Sequence, residues 1–495
     1  MTETLSARSD LVRHPDAFFI GGEWMTPSSV DTIAVLDSAT EAPFLTVAEA
    51  QAVDIERAVI AARKAFDQGP WPRMTPQERA PYLQRIAKGW LARADALGDS
   101  WTAESGILRS FAGFGAYSVA SVFNYYADLA NGYEWVRKVA SPSNQHAIIV
   151  GEPVGVVAAI VPWNGPASLI AIKAAPALLA GCTLIVKASP EAPTSAYLFA
   201  EICEEAGVPP GVVNIVTADR EISELLVRNP NVDKVAFTGS TAAGRRIASI
   251  CGERIARTTL ELGGKSPAIV LDDFDVGAAA QALAQTTSVL SGQVCAALTR
   301  IIVSKDRHNA MAEALADAFS NIRVGDPRDP ESQMGPLASA RQRDRVETYL
   351  RSAAGEGARL VTGGGRPRHL DRGYYIEPTV YANVDNHSKI AREEVFGPVV
   401  CIIPAADEAE AISIANDTHY GLNSCIFTND PNRVYSLGRQ LRAGLVGHNT
   451  FAVDWTLPGG GFKQSGIGRE GGVEGLEAYL ETKTMTFQAP PSITY

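Results

Sequence analysis

Apolar residues in the first half of the chain follow two periods, which predict alternating helices and strands. Residues 54–67 and 77–97 carry apolar side chains at helical spacing with charged side chains opposite, so each stretch is predicted to be an amphipathic helix. Residues 196–206 are predicted to be a third helix, because Gly207 and two prolines beyond it are stop signals. Short β-branched apolar runs predict strands that are buried on both faces, at residues 154–161, 183–186, 212–216 and 234–237.

The second half repeats this alternation and ends on an isolated strand signal. Helices are predicted at residues 310–319 and 340–354, and strands at residues 267–271, 300–303, 399–403 and 424–428. Strands that alternate with helices form parallel sheets, and such sheets bind ligands past the carboxyl ends of their strands. The last strand signal, at residues 482–487, has nothing downstream to pair with. It must therefore join another sheet edge, in this subunit or in a neighbouring one.

Residues 153–172 carry no formal charge and have about the length of a membrane span. Prolines and polar residues at positions 162–166 interrupt the run, and open backbone polar groups are very costly in lipid. The run is therefore interpreted as a buried strand, a tight loop and a helix that begins near Ala167. The first ten residues mix charges and lack an apolar stretch, so no signal peptide is expected and the predicted location is cytoplasmic.

Composition narrows the class of partner. The formal net charge is −11 over 495 residues, which argues against nucleic acid or an anionic membrane, because both select basic surfaces. The chain is too long for one hydrophobic core, so two or three domains are expected. The six cysteines form no CxxC pair and the seven histidines show no metal-binding spacing, so reduced thiols and no metal site are predicted.

Two segments carry candidate covalent chemistry. In residues 291–297 (SGQVCAA), a glycine and small neighbours let the loop present the Cys295 thiol closely to a ligand. Taken alone, a free cysteine is usually a buried apolar side chain, which is the interpretation of the other five. Upstream, Glu261 precedes Gly263 and Gly264, and two glycines remove the side chains that would crowd a ligand. A cysteine nucleophile with a carboxylate and no sequence-adjacent histidine suits activation and later hydrolysis by a glutamate base.

These segments belong to a series of eight motifs, at residues 19–24 (FIGGEW), 162–164 (PWN), 187–189 (KAS), 237–241 (FTGST), 261–265 (ELGGK), 292–295 (GQVC), 393–398 (EEVFGP) and 460–466 (GGFKQSG). In this order the chain resembles the aldehyde dehydrogenase superfamily over essentially its whole length. The resemblance implies an α/β fold with two Rossmann-like parallel-sheet domains and a small β oligomerisation element. The implied limits are 1–134 and 154–262 for the dinucleotide-binding domain, 263–470 for the catalytic domain, and 135–153 and 471–495 for the oligomerisation element.

The resemblance also implies roles in catalysis. Cys295 matches the family nucleophile. Asn164 matches the side-chain amide that joins the Cys295 backbone N–H in an oxyanion hole, although without Cys295 it would be interpreted as an ordinary turn residue. Glu261 matches the general base that activates water. Lys173 and Glu470 match positions that relay protons from Glu261 to solvent, and the alternative is that they are solvated or paired structural groups.

NAD or NADP is the cofactor that the resemblance implies. Lys187 resembles the lysine that binds the adenosine ribose hydroxyls, and Gly239 and Ser240 precede a helix N-terminus that suits a pyrophosphate. Glu394 resembles the carboxylate that holds the nicotinamide ribose, and Phe396 resembles a neighbouring ring support. A surface glutamate is the alternative for Glu394, and the Phe-Gly-Pro sequence that follows favours the cofactor role. The remaining cofactor contacts are carried over to Ile160, Pro162, Trp163, Ser189 and Leu262.

One departure from the family pattern concerns the choice of cofactor. Many NAD-using relatives carry a glutamate three positions after the ribose-binding lysine, where this chain has Pro190. A carboxylate there accepts the ribose 2′-OH and repels a 2′-phosphate. Glu191 follows directly and is the candidate replacement, so NAD is favoured over NADP.

Other departures concern the substrate. Gly165 and Gly459 occupy positions where relatives often carry aromatic rings, which predicts a wide entrance that tolerates bulky aldehydes. Asp454 lies near the expected tunnel mouth, where its carboxylate either selects a hydroxylated or cationic aldehyde or faces water. The pocket residues that the resemblance implies are Gly165, Ile172, Val294, Ala296, Asp454 and Gly459.

Three other functions compete with aldehyde oxidation. A cysteine hydrolase or thioesterase would also use Cys295, but it usually needs a histidine base and has no reason to keep Lys187 or Glu394. A CoA-acylating dehydrogenase would pass the acyl group to CoA, whereas the retained Glu261 favours water. A non-catalytic protein with the same fold is disfavoured, because every expected catalytic position of this chain holds a residue that can perform the chemistry. The expected partners are a small-molecule aldehyde and further copies of the chain, as a dimer or a tetramer.

Overall fold

The structure is a computed structural model, and it describes residues 11–140, 146–451 and 454–491. The predicted absence of a signal peptide falls on residues 1–10, outside the described residues. Parts of the predicted oligomerisation element, residues 141–145 and 492–495, also lie outside them. Within the described ranges, no helix combines the length and the apolar character needed to cross a membrane.

Strands occur along the whole described chain. The twenty strands are β1 (Phe18–Ile20), β2 (Glu23–Met25), β3 (Thr32–Leu36), β4 (Pro43–Ala48), β5 (Val136–Ala140), β6 (His146–Pro153), β7 (Val156–Ile160), β8 (Thr183–Ala188), β9 (Val213–Thr217), β10 (Lys234–Thr238), β11 (Arg257–Glu261), β12 (Ser266–Val270), β13 (Leu298–Ser304), β14 (Arg359–Thr362), β15 (Thr379–Ala382), β16 (Val399–Ala405), β17 (Cys425–Phe427), β18 (Gly447–His448), β19 (Gly466–Ile467) and β20 (Leu480–Phe487).

Helices separate most of these strands. The sixteen α-helices of the described residues are α1 (Ala52–Gln68), α2 (Pro76–Ala92), α3 (Ala94–Ser105), α4 (Arg109–Ala112), α5 (Gly115–Gly132), α6 (Pro166–Ala180), α7 (Thr194–Glu205), α8 (Arg220–Arg228), α9 (Thr241–Glu253), α10 (Val276–Ser288), α11 (His308–Ser320), α12 (Ala340–Gly355), α13 (Lys389–Arg392), α14 (Glu408–Asn416), α15 (Pro431–Gly438) and α16 (Gly472–Glu477).

The first sheet has eight strands in the order β19-β11-β10-β7-β8-β9-β1-β2. Its five central strands, β7 to β11, run parallel and are connected by α6, α7, α8 and α9. Successive residues of β7 pack on opposite faces: Val157 joins a core with α2, α5 and α6, and Val156 joins a core with α1 and α9. Both faces are therefore covered, which explains why these strands are continuous apolar runs. The uncharged run 153–172 forms β7, a loop and the start of α6, as predicted.

The second sheet has seven strands in the order β14-β15-β16-β13-β12-β17-β18. All its pairs are parallel except that of β14 with β15. Ile301 packs with α10 and α11 on one face, and Ile302 packs with α12 and α14 on the other. The structure contains the predicted strands and helices of this block, and it adds β14, β15, β18, α10, α14 and α15, which were not predicted.

The strand near the C-terminus joins a small sheet of its own chain. β20 pairs antiparallel with β6 over eight residues, with Leu480 opposite Pro153 and Phe487 opposite His146, and β6 also pairs with β5. This strand therefore takes an edge in its own subunit, the first of the two predicted kinds of partner, and pairing with a neighbouring subunit stays a prediction.

The prediction of one helix over residues 77–97 is wrong. Arg93, with φ −111° and ψ 21°, separates α2 from α3. Its guanidinium binds Glu205 of α7 at 2.7 Å, and this partner is distant in sequence. After the break, two side chains of α3 donate hydrogen bonds to the loop that follows β7.

Candidate active site

The candidate residues of the first sheet lie at one edge because its central strands are parallel. β7, β8, β10 and β11 end at Ile160, Ala188, Thr238 and Glu261, so the loops that follow these strands lie along the same edge. This edge is where parallel sheets bind ligands.

Cys295 follows a segment with an unusual backbone. Leu290 and Ser291 adopt left-handed conformations with φ 49° and 53°, and Gly292 follows with φ 71°. Left-handed conformations cost non-glycine residues about 1–3 kcal/mol each, so the surroundings must hold them. Ser291 Oγ donates a hydrogen bond of 2.7 Å to the Gly335 carbonyl, which anchors the turn. Among the six cysteines, all of which are described, Cys295 is the one residue that is not fully buried.

The Cys295 thiol lies in an acidic surrounding. Burial raises its pKa to about 12, and the carboxylates of Glu394 and Glu261 act in the same direction. The thiol is therefore neutral near neutral pH and needs a base to become a nucleophile.

Glu261 has the properties of such a base. Burial raises the pKa of Glu261 well above its usual range; Glu470 raises it further, and Lys173 opposes the shift. Glu261 Oε1 is buried, and none of the described residues donates a hydrogen bond to it. A carboxylate with a raised pKa is a stronger base, and a buried acceptor without a protein donor suits a water molecule or a thiol proton.

Lys173 and Glu470 form a buried ion pair beside this base. Lys173 Nζ donates to Glu470 Oε1 at 2.7 Å and to Thr238 Oγ1 at 2.6 Å, and the lysine side chain is fully buried. The backbones of Glu470 and Gly459 pair with each other through hydrogen bonds of 2.7 and 2.9 Å. These groups are therefore not solvated but paired with each other, and their role as a proton relay stays a prediction.

Asn164 connects the loop after β7 to the cysteine segment. Its Nδ2 donates a hydrogen bond of 3.0 Å to the Gln293 carbonyl, two residues before Cys295. A primary amide carries two N–H groups, so one remains for a ligand oxygen. This geometry suits an oxyanion hole formed by the amide and the cysteine backbone.

A second group of residues at the same edge suits a dinucleotide. Lys187 is buried, which lowers its pKa to about 8, while Glu191 and Asp219 oppose the shift. Ser240 caps α9 by accepting a hydrogen bond of 3.3 Å from the Ala243 N–H. The other N–H groups of that first turn are free to bind a phosphate. The Glu191 carboxylate accepts from the neighbouring serine hydroxyl, Ser189, and also pairs with an arginine of α12.

Another part of this group contains a carboxylate and two rings. Glu394 Oε1 accepts a hydrogen bond of 3.1 Å from the Gly264 N–H, and burial raises the pKa of Glu394 to about 7. The rings of Phe396 and Trp163 meet edge to face with centroids 5.5 Å apart. A buried cation, a helix N-terminus and a half-buried carboxylate fit the ribose and phosphate groups of a dinucleotide. Ile160 and Leu262, predicted for this site, are buried at the ends of their strands, and Pro162 lies in the loop after β7.

Four predicted pocket residues are Val294, Ala296, Gly165 and Gly459. Val294 and Ala296 flank Cys295. A side chain added to Gly165 would meet only Leu169 Cδ1, at 3.9 Å, and one added to Gly459 would meet only a carbonyl oxygen, at 4.0 Å. Both glycines therefore have space beside them.

Two predicted pocket residues, Ile172 and Asp454, differ in their exposure. Ile172 is 1% exposed and belongs to the large core of the first sheet. Asp454 is exposed, and its carboxylate accepts hydrogen bonds from the Thr456 N–H and hydroxyl at 2.9 and 2.7 Å. Their pocket roles stay predictions.

Two buried glutamines with structural roles at the site were missed. Gln293 accepts a hydrogen bond of 2.9 Å from the Ala338 N–H, and its place in the GQVC motif was the available signal. Gln342 Nε2 donates at 2.6 Å to the Phe396 carbonyl, and nothing in the sequence marks it, because it lies on the distant helix α12. The described residues contain no group of three or more His, Cys, Asp or Glu arranged to hold a metal ion.

Comparison with known proteins agrees with this geometry. The model of the aldehyde dehydrogenase family matches residues 24–485. The chain belongs to the aldehyde dehydrogenase family. Geranial dehydrogenase of Castellaniella defragrans is 42% identical over 468 residues, a match that covers 94% of this chain and 98% of that protein. Betaine aldehyde dehydrogenase 1 of Oryza sativa subsp. japonica is 39% identical over 476 residues, with 94% of each chain covered.

Solved structures of the family share the fold. The crystal structure of Mycobacterium tuberculosis aldehyde dehydrogenase complexed with NAD+ has a TM-score of 0.94 and 42% identity, and it covers 97% of this chain and 99% of that one. A variant of aldehyde dehydrogenase C from Pseudomonas syringae, complexed with NAD+ and octanal, has a TM-score of 0.93 and 38% identity, covering 99% and 100%. The predicted α/β fold is therefore confirmed, and the chain is an NAD(P)-dependent aldehyde dehydrogenase.

Proposed function

We propose that this enzyme oxidises bulky or long apolar aldehydes to carboxylic acids through a thioester on Cys295, with NAD as the preferred cofactor. The observation that carries the proposal is the meeting of a half-buried cysteine, a half-buried glutamate with a buried Oε1 and a side-chain amide: Cys295, Glu261 and Asn164.

In the first half-reaction, the Cys295 thiol gives its proton to Glu261 and its sulfur bonds to the aldehyde carbon. The carbonyl oxygen becomes an oxyanion, which accepts hydrogen bonds from Asn164 Nδ2 and the Cys295 backbone N–H. Bound NAD+ supplies a hydride acceptor. Loss of hydride from the carbon regenerates the carbonyl, which leaves a thioester on the sulfur.

In the second half-reaction, Glu261 must again be free to accept a proton. The Lys173–Glu470 pair next to it supplies a buried route by which the first proton leaves. Glu261 then deprotonates a water molecule that attacks the thioester, and the collapse of the tetrahedral intermediate releases the acid and the Cys295 thiol.

NAD is favoured because of the charge near Lys187. Glu191 is close enough to oppose the lowering of the Lys187 pKa, and the part of its charge that Arg341 does not balance disfavours a 2′-phosphate bound at that lysine. The relatives from M. tuberculosis and P. syringae, which carry NAD+ in their structures, support the same choice. Lys187 would hold the adenosine ribose, the α9 N-terminus the pyrophosphate, and Glu394 the nicotinamide ribose.

The proposal is tested by following reduced nicotinamide with short, long, aromatic and terpenoid aldehydes, with NAD or NADP, and with or without CoA. We expect turnover without CoA, a higher kcat/KM with NAD than with NADP, and a preference for the longer or bulkier aldehydes. Turnover that requires CoA would favour the acylating class, and thioester hydrolysis without any dehydrogenation would favour a hydrolase.

The substrate class follows from the two glycines beside the site. Gly165 adjoins Asn164, and Gly459 adjoins Gly460, where an added Cβ would lie 2.8 Å from Glu261 Oε1. Both glycines thus lie beside residues of the reaction centre, with open space next to them. The geranial substrate named for one relative and the octanal bound to another support an extended apolar aldehyde.

Replacing Gly165 by phenylalanine is expected to fill this space. Bulk that overlaps a substrate costs roughly 1–3 kcal/mol, so kcat/KM for bulky aldehydes should fall about ten- to a hundredfold, while propanal should be unaffected or improved. Gly252→Phe is the matched control, because Gly252 is exposed with nothing within 4 Å of an added Cβ. Equal losses for propanal and for a terpenoid aldehyde would contradict the proposed pocket.

The assembly is proposed to be a homo-oligomer held by the three-stranded sheet. β5 and β20 are the two outer strands of that sheet, so each offers an edge to a second subunit. A chain that ends at Glu481 should form smaller species in light scattering than a chain that ends at Phe487, which keeps β20 complete. Equal masses for the two truncated chains would remove the case for assembly through this sheet.

A cytoplasmic location is part of the proposal. The chemistry needs Cys295 as a free thiol, and none of the six cysteines is in a disulfide. Reducing compartments preserve such thiols.

A further inference from the structure

Helix α3 contacts the loop that carries Asn164. Trp101 Nε1 donates a hydrogen bond of 2.9 Å to the Asn164 carbonyl. One turn later, Ser105 Oγ donates a hydrogen bond of 2.6 Å to the Trp163 carbonyl. Two successive carbonyls of the loop are therefore held by side chains that lie on one face of the same helix.

The same helix also contacts the cysteine segment. Gln293 Nε2 donates a hydrogen bond of 3.3 Å to the Ser105 carbonyl, and the Gln293 carbonyl accepts from Asn164 Nδ2 at 3.0 Å. The indole of Trp101 packs against the small apolar cluster that includes Leu290 and is also contacted by Val294. The loop, α3 and the cysteine segment thus form a closed ring of contacts.

The surroundings favour a fixed geometry for this ring. Ser105 is fully buried, and Trp101 is only partly exposed. Both carbonyls that they bind belong to a loop without regular structure, which has no strand or helix of its own to fix it. A catalytic donor must be held in place before the reaction to stabilise an oxyanion efficiently.

We infer that Trp101 and Ser105 are positioning residues of the oxyanion hole, which act by holding the backbone on which Asn164 is placed. They touch neither the substrate nor the reacting atoms, and they act through the orientation of the Asn164 amide relative to the Cys295 backbone N–H. The inference rests on the proposed role of Asn164.

The experiment is a double-mutant cycle that combines Trp101→Phe or Ser105→Ala with Asn164→Ala. Phenylalanine keeps a ring in the apolar cluster and removes only the N–H donor, and alanine removes only the serine hydroxyl. Each single variant should lower both the burst rate and the steady-state rate of reduced-nicotinamide formation by about five- to tenfold. This factor corresponds to the free energy that one neutral hydrogen bond contributes. The KM for NAD should not change. Asn164→Ala should lower the same two rates by about 100- to 1000-fold.

The decisive result is the effect of the α3 variants when Asn164 is already absent. If α3 acts through Asn164, adding Trp101→Phe or Ser105→Ala to Asn164→Ala should change the rate by less than about twofold. Two matched controls should keep wild-type rates: Trp135→Phe, whose Nε1 donates at 3.0 Å to a carbonyl away from the site, and Ser100→Ala, a buried serine of α3 whose Oγ donates to Leu97.

Other outcomes overturn the inference in distinguishable ways. If an α3 substitution lowers the rate of Asn164→Ala by the same factor as it lowers the wild-type rate, α3 does not act through Asn164. The proposed function still stands in that case. If the single α3 variants lose no activity, the inference fails by itself. If Asn164→Ala is fully active, the proposed oxyanion hole fails and the inference with it. Ser105→Ala decides the matter alone if Trp101→Phe does not fold.

Discussion

Cys295→Ala should lose more than about 10,000-fold in kcat for every aldehyde, because no other group can form the covalent bond to the substrate carbon. The binding of NAD, measured by calorimetry, should remain, since the proposed ribose and phosphate contacts come from other residues. The variant should also show no burst of reduced cofactor, because hydride loss follows the attack of the sulfur.

Cys203→Ala is the matched control for this variant. Cys203 is fully buried in the core of the first sheet, and burial raises its thiol pKa well above the usual range, so it has no access to substrate. Its replacement should affect only stability. Turnover of Cys295→Ala above a few per cent of the wild-type rate would exclude Cys295 as the nucleophile.

Glu261→Gln should separate the two half-reactions. The amide keeps the shape of the carboxylate but cannot accept a proton, so thioester hydrolysis should slow by roughly 100- to 10,000-fold. Reduced cofactor should still reach about one equivalent per active site, although more slowly at neutral pH, because the thiol has lost its base. Stopped-flow absorbance measures both phases.

The pH dependence provides a second test of the same residue. Burial raises the pKa of Glu261, and a base acts only when it is deprotonated, so the hydrolysis rate of the wild type should rise with pH through that raised pKa. Glu261→Gln should lose this rise. If burst and steady state fell by the same factor, Glu261 would act only before hydride transfer.

The sequence predicted the central strands of both sheets well, for a physical reason. Strands such as β8, with every residue buried, are short and mostly apolar runs between turn signals, which is the pattern of strands covered on both faces. The break at Arg93 could not be predicted, because its apolar pattern continues through the break and its partner Glu205 lies on another helix. The strand near the C-terminus clearly required a partner, but only the folded chain identifies β6.

Some residues of the active site could also be predicted from the sequence, and others could not. Cys295, Glu261 and Asn164 were assigned from motifs, and the structure brings the three segments together. Trp101 and Ser105 were not found, because they bind backbone carbonyls, and a carbonyl has no sequence signature. Lys173 and Glu470 were named only through the resemblance, and their pairing was not predicted, since 297 residues separate the two.

The central claim, that the aldehyde is oxidised as a thioester on Cys295, is tested most directly by trapping that thioester. Glu261→Gln is mixed with NAD and octanal, quenched in acid during the slow phase, digested with trypsin and analysed by mass spectrometry. The tryptic peptide 266–300 contains Cys295 and no other cysteine. It should gain the mass of the octanoyl group only when NAD is present. A full burst of reduced cofactor without this gain, or with the acyl group on another peptide, would contradict the account.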